Sequence, residues 1–137
     1  MDERERHDAG MAKRRKILGN AWVDRSVSRQ NEFNAEFLDL ISRYAWGEIW
    51  TRPGLDDRTR RLIVLASMIA LGRWEEFRMH LRAALEGQMS IADIKEIFLQ
   101  QAIYCGVPIA NTGFHHLADL IAELKAKGVP INGLEDA

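Results

Sequence analysis

An all-α domain of about six helices is the fold this sequence predicts, on three observations. No stretch keeps a two-residue apolar alternation between hairpin turns, so strands are not expected. Apolar residues recur at spacings of three and four over long runs. Glycine and proline fall between those runs rather than inside them. In chain order, a short helix is expected near residues 7–18. Ser28 then precedes Phe33, Phe37, Leu40, Ile41 and Tyr44, an amphipathic helix running to about Trp50. Thr51-Arg52-Pro53-Gly54 breaks it. Asp56 and Asp57 suit the start of a helix over 57–71, which is apolar nearly all round after Arg61 and is therefore expected to be buried. Gly72 separates it from a helix over 73–86 whose stripe is Trp74, Phe77, Leu81, Ala84 and Leu85, with Gly87 as the expected left-handed cap. Ser90 and Asp93 form a variant capping box for a helix carrying Ile94, Ile97, Phe98 and Ala102. Gly106-Val107-Pro108 precedes a last helix that runs to about Lys127 and stops at Gly128.

Length and composition narrow the function classes. The chain has 137 residues, read as one domain over 1–137, and a domain of this size buries roughly 68–70% of its unfolded surface. Nineteen basic and 20 acidic side chains leave a formal charge of −1, without the basic excess of a nucleic-acid binder. One cysteine excludes a disulfide within the chain and an all-thiolate zinc site. The longest mostly apolar run, Leu62 to Leu71, is too short to span a bilayer. The N-terminus alternates charge (Asp2, Glu3, Arg4, Glu5, Arg6) with no apolar segment behind it, so a cytoplasmic protein without a secretory signal is expected.

The residues that could carry chemistry cluster around His80. Arg73, Glu76 and His80 form one strip of a helix, and His80 lies about 60° from Phe77 and about 40° from Ala84 around the axis. That puts it on the border of the apolar stripe. Glu76, one turn below, is expected to accept a hydrogen bond from the ring and raise its pKa, an acid–base unit; an ordinary solvated Glu–His pair has the same spacing. Arg58 and Arg61 share a face with Leu65 and Met68. They stand either at a cavity mouth, where they could grip carboxylates, or in ion pairs with Asp56 and Asp57. Cys105 has no second thiol and is read as buried packing. His115 and His116 point about 100° apart and cannot form one ligand pair. No histidine pair at i, i+4 has carboxylate support, so no metal site is expected. Lys13-Arg14-Arg15-Lys16 reads as a solvated helix face, and Trp46, Trp50 and Trp74 as core or subunit contacts.

Tyr44 through Leu55 (YAWGEIWTRPGL), followed by Arg58-Thr59-Arg60, resembles the 4-carboxymuconolactone decarboxylase family. So do Arg78-Met79-His80-Leu81-Arg82-Ala83-Ala84-Leu85 and the stretch from Ile103 to Thr112 (IYCGVPIANT). The similarity extends upstream through Gly10-Met11 and Ile17-Leu18-Gly19 to Val23-Asp24-Arg25, nearly the whole chain in order. The resemblance implies an AhpD-like helical fold, a homo-oligomer that is typically a hexamer, and a place in protocatechuate breakdown through the β-ketoadipate pathway. The implied reaction is loss of CO2 from 4-carboxymuconolactone, a dicarboxylate lactone, to give 3-oxoadipate enol-lactone with no cofactor. The AhpD branch of the superfamily carries a Glu, a Cys-x-x-Cys and a His. Laid on His80, that motif puts Arg61 at the Glu and Arg73 and Glu76 at the two cysteines. A dithiol reaction needs both thiols, so peroxide chemistry should be absent, and Arg61, Arg73, Glu76 and His80 should line one pocket.

The implied substrate supplies its own electron sink, because the pair left by CO2 can spread through the ring double bond to the lactone oxygen. On this reading His80, held by Glu76, is the general acid. Arg58, Arg61 and Arg73 hold the carboxylates, Asn111 and His115 offer donors from the last helix, and Trp50, with Glu48, contributes from a neighbouring subunit. Two other readings stand beside it: a thiol- or peroxide-linked oxidoreductase working through Cys105, and a non-catalytic helical oligomer that binds a dicarboxylate.

Overall fold

Asp2 and Glu5 close the first helix reciprocally, the Asp2 carboxylate accepting from the Glu5 N–H and the Glu5 carboxylate from the Asp2 N–H, so α1 spans Glu3–Leu18 and starts earlier than apolar spacing suggests. The computed structural model describes residues 1–134. It contains α2 (Asn20–Ser28), α3 (Ala35–Leu40), α4 (Asp57–Leu71), α5 (Trp74–Ala83), α6 (Ile91–Cys105) and α7 (Val107–Ala126). Two stretches, Ile41–Ile49 after α3 and Ala84–Gln88 after α5, wind as wider π-helix. No strand occurs among the described residues. The chain forms two compact units, Met1–Asp57 and the remainder from Arg58.

In the first unit, α1 lies along the π-helical stretch 41–49. Two glycines make the approach possible. A Cβ on Gly10 would strike the Ser42 carbonyl, and one on Gly47 would strike the Arg6 carbonyl. Arg6 pairs with Glu48 across the same contact. The basic run does more than face water: Lys13 and Lys16 each stand 3.0 Å from Asp57, and Arg15 stands 2.8 Å from Asp24. The segment expected to be one helix to Trp50 is instead a turn, the short α3 and the π stretch. Its apolar stripe faces outward, with Phe33 87%, Phe37 60%, Leu40 48% and Tyr44 42% exposed. Periodicity marks an apolar face without saying what covers it.

The second unit is built on α5, α6 and α7. Phe77, Leu81, Leu85, Ile94, Phe98 and Leu117 fill its core, and Leu65 and Ile69 of α4 join them. Phe77 and Phe98 meet edge to face at 5.5 Å. Gly113 lets α7 close on Phe98, whose ring occupies the place a side chain would take. Ser90 and Asp93 form the capping box expected of them, and Gly72, Gly106 and Gly128 take left-handed conformations at helix ends.

Three expectations need correction here. Only one face of α4 is buried: Leu62, Ile63 and Leu71 are exposed, because the core meets α4 along the Arg61–Leu65–Ile69 line with Ala66 and Met68 beside it. Gly87 is not a left-handed cap; the chain instead runs through a π turn in which the Met89 N–H donates to the Ala84 carbonyl at 2.9 Å. Cys105 is exposed, as the last residue of α6, rather than buried.

Candidate functional site

His80 sits in the last turn of α5, between fully buried Phe77 and Ala84, and is itself only 5% exposed. An angular position of about 40–60° from two core residues is enough to carry the ring inward with them. Burial, then the charges of Arg61 and Arg82, lower its pKa to about 3. The imidazole is therefore neutral at physiological pH. This overturns the expected acid–base pair with Glu76. Glu76 is exposed and is not among the groups that set the His80 pKa, which are burial, Arg61 and Arg82.

Arg61 comes up beside His80 from α4. It is 2% exposed. Its Nη1 donates to the His80 carbonyl at 3.0 Å and its Nε to Gln88 Oε1 at 3.1 Å. Arg61, expected at a cavity mouth or in an ion pair with Asp56 or Asp57, is buried with these bonds to backbone and amide. Asp57 is held by Lys13 and Lys16, which keep its carboxyl below the usual range although burial pushes the other way. Arg82, one turn from the Arg78 position on α5, reaches Glu86 at 3.1 Å.

The remaining expected residues are dispersed. Arg58 is exposed, pairs with Asp93 at 3.3 Å and edges a cleft of about 230 Å³ floored by Leu62 and Ala66 of α4, Met89 before α6 and Ile97 of α6. Asp93 and Glu96 share that rim, so its charge does not suit a dianion. Arg73 precedes α5 and is exposed, as are Asn111 and His115 one turn apart on α7. His116 is half-buried and stacks on Trp74 at 4.9 Å. Trp50, in the first unit, stacks on Trp46 at 5.0 Å. The structure thus brings His80 and Arg61 together and leaves Arg58, Arg73, Glu76, Asn111 and His115 outside that contact. It adds Gln88, which the spacing does not point to, and brings in Arg82, which flanks His80 in the sequence. Gln88 arrives through the π turn, for which the sequence carries no signal; Arg82, two residues beyond His80, was legible as a nearby charge.

Residues 35–119 match the model of the carboxymuconolactone decarboxylase family. The chain is 40% identical over 124 residues to a 4-carboxymuconolactone decarboxylase of Acinetobacter baylyi, covering 90% of this chain and 92% of that protein. A 48-residue stretch, 35% of this chain, is 52% identical to the whole of a Pseudomonas putida sequence of the same name. A nitrosuccinic acid decarboxylase of Metarhizium robertsii is 35% identical over 101 residues, 74% of this chain and 71% of that one. Among the described residues, no helix is long and apolar enough to cross a membrane.

Proposed function

The chain belongs to the carboxymuconolactone decarboxylase family, and from that premise we propose that it is a carboxy-lyase that converts 4-carboxymuconolactone to 3-oxoadipate enol-lactone in protocatechuate breakdown by the β-ketoadipate route. The bond from the ring carbon to its carboxylate breaks and CO2 leaves. The electron pair passes through the ring double bond onto the lactone oxygen, and a proton then adds at the ring carbon beside that carbonyl. No cofactor is needed to hold the pair, because the substrate holds it.

The observation that carries the residue roles is a buried, neutral His80 beside the Arg61 guanidinium. A ring that titrates near 3 is the wrong group to deliver a proton as an imidazolium. A neutral imidazole of lowered pKa is a good hydrogen-bond donor to an oxygen gaining negative charge, as in the isomerase with a neutral histidine electrophile. His80 therefore stabilises the lactone oxygen, and loss of one such donor typically removes about 10²–10³ in kcat. Arg73 lies along the same side of α5, about 10 Å away at 1.5 Å per residue, and holds the carboxylate that stays. Asn111 and His115, exposed one turn apart on α7, are the further donors of this reading. A nitro group takes an electron pair onto oxygen in the same way as an unsaturated lactone, so one donor arrangement serves both substrates named among the relatives.

We also propose a homo-oligomer, a hexamer by resemblance. Phe33, Phe37, Leu40 and Tyr44 present an exposed apolar stripe, the kind of surface that marks a protein contact, and a second copy covers it. Phe37→Glu should lower the mass read by light scattering.

CO2 release from authentic 4-carboxymuconolactone, with nitrosuccinate run in parallel, tests the activity. Turnover of the lactone is expected. Turnover of nitrosuccinate alone, or of neither, overturns the proposed substrate.

A further inference from the structure

We infer that Arg61 and Gln88 are the positioning residues of this site: the Arg61 guanidinium, bridging the His80 carbonyl and the Gln88 side chain, fixes where the His80 imidazole stands. The inference rests on the proposed role of His80 and gives Arg61 a task other than gripping substrate.

Its basis is the way α5 ends. The Ala84 N–H is shared between the His80 and Leu81 carbonyls, and from there the helix widens, with the Met89 N–H reaching five residues back to the Ala84 carbonyl. A π turn inserts a residue into the ladder, so carbonyls at the junction are served by distorted bonds and favour a donor from outside. Arg61 supplies that donor at His80's own carbonyl, 3.0 Å away. The same wide turn carries Gln88 round to accept from Arg61 Nε at 3.1 Å. One planar fork thus ties the turn bearing His80 to the turn that follows, and ties both to α4. A lysine offers a point charge and cannot span the two acceptors in that fixed geometry.

The direction of its two bonds separates this role from substrate binding. An arginine that receives a substrate carboxylate presents its fork to a space the ligand can enter. The Arg61 side chain is 2% exposed, with Nε and Nη1 turned to Gln88 and His80. Burying a guanidinium is unfavourable unless hydrogen bonds hold it, and both of these bonds go to the segment that carries His80.

Gln88→Ala removes the acceptor, while Gln88→Glu keeps one. In the full-length protein, the steady-state decarboxylation assay should show kcat falling about 10²-fold in Gln88→Ala, the scale of a misplaced catalytic group, with KM changed by less than about twofold. Gln88→Glu should retain most of the rate, and Arg61→Lys should resemble Gln88→Ala. A raised KM at unchanged kcat, a folded Gln88→Ala with full kcat, or equal losses in Gln88→Ala and Gln88→Glu each overturns the inference. A second readout needs no turnover. The ring NMR signals of His80, identified against His80→Gln, should move in Gln88→Ala while those of His7 and His115 stay. A stationary His80 ring overturns the inference; a moving ring in a protein that releases no CO2 leaves the positioning role standing and removes the decarboxylase reading instead.

Discussion

Lowering the pH from 7 to 5 should remove about 2 kcal/mol of folding stability through His80 alone. The ring titrates at its ordinary value, 6.5, when the chain is unfolded and at about 3 when folded, where burial, Arg61 and Arg82 oppose its charge. Between those values the unfolded chain binds a proton that the folded chain refuses. Stability is therefore full above the unfolded pKa and falls as the pH drops below it. At pH 5 the medium lies about 1.5 units under the unfolded value, and each unit is worth about 1.4 kcal/mol, which gives the figure above. Asp57 and Asp93, whose carboxyls lie below the usual range in the fold, also lose stability as the pH falls, but around and below their unfolded values near 3.8. The measurement is urea unfolding at pH 7 and pH 5 for the wild type and for His80→Gln, in which the carboxylate contributions cancel. The wild type should lose about 2 kcal/mol more than the variant. A difference under about 0.5 kcal/mol, or a folded-state ring titration near the ordinary histidine range, would refute the claim that His80 is buried neutral.

Other consequences are quicker to check. If the neutral ring is the working form, kcat should show no His80-dependent limb near the ordinary histidine pKa; such a limb, absent in His80→Gln, would restore the imidazolium mechanism. Ser90→Ala removes the side-chain oxygen that accepts from the Asp93 N–H and should cost about 1 kcal/mol in a thermal or urea melt. Gly113→Ala sets a methyl group against the fully buried Phe98 ring and should cost about 1–3 kcal/mol, with no loss of kcat beyond the fraction unfolded.

Where local chemistry decides the backbone, the sequence was readable. Ser90 and Asp93 cap each other whatever surrounds them, and Gly72, Gly106 and Gly128 end helices because they take positive φ freely. Phe77, Leu81 and Leu85 repeat on one face and are buried on it. Failures occurred where a long-range partner decides. Phe33, Phe37 and Leu40 have core-like spacing and stand in water, since periodicity does not say what will cover a stripe. Arg58 and Arg61 lie one turn apart on the same apolar helix, yet one is exposed on Asp93 and the other buried under His80. That difference comes from where α5 and α6 pass, not from either arginine. Glu76 has the spacing of a partner for His80 but remains outside while the ring turns inward.

In the proposed reaction the net charge of the bound substrate does not rise; one negative charge moves from a departing carboxylate to the carbonyl oxygen of the lactone. A site accelerates that step only if it favours the charge in its final place over its initial one. A cationic imidazole would attract both places, and a bound carboxylate gripped by it would be slower to leave. A neutral donor backed by fixed cations is more selective, because its hydrogen bond strengthens as charge arrives on the oxygen it faces. Arg61 and Arg82 then have two effects of one origin: their field keeps His80 neutral and favours the enolate-like oxygen. The two effects must change together. Arg82→Gln, which leaves the Arg61 bonds in place, should raise the His80 pKa measured by NMR and lower kcat in the same protein. A raised pKa with kcat unchanged would mean that the cations tune the histidine without helping the reaction, and that the oxygen develops its charge elsewhere.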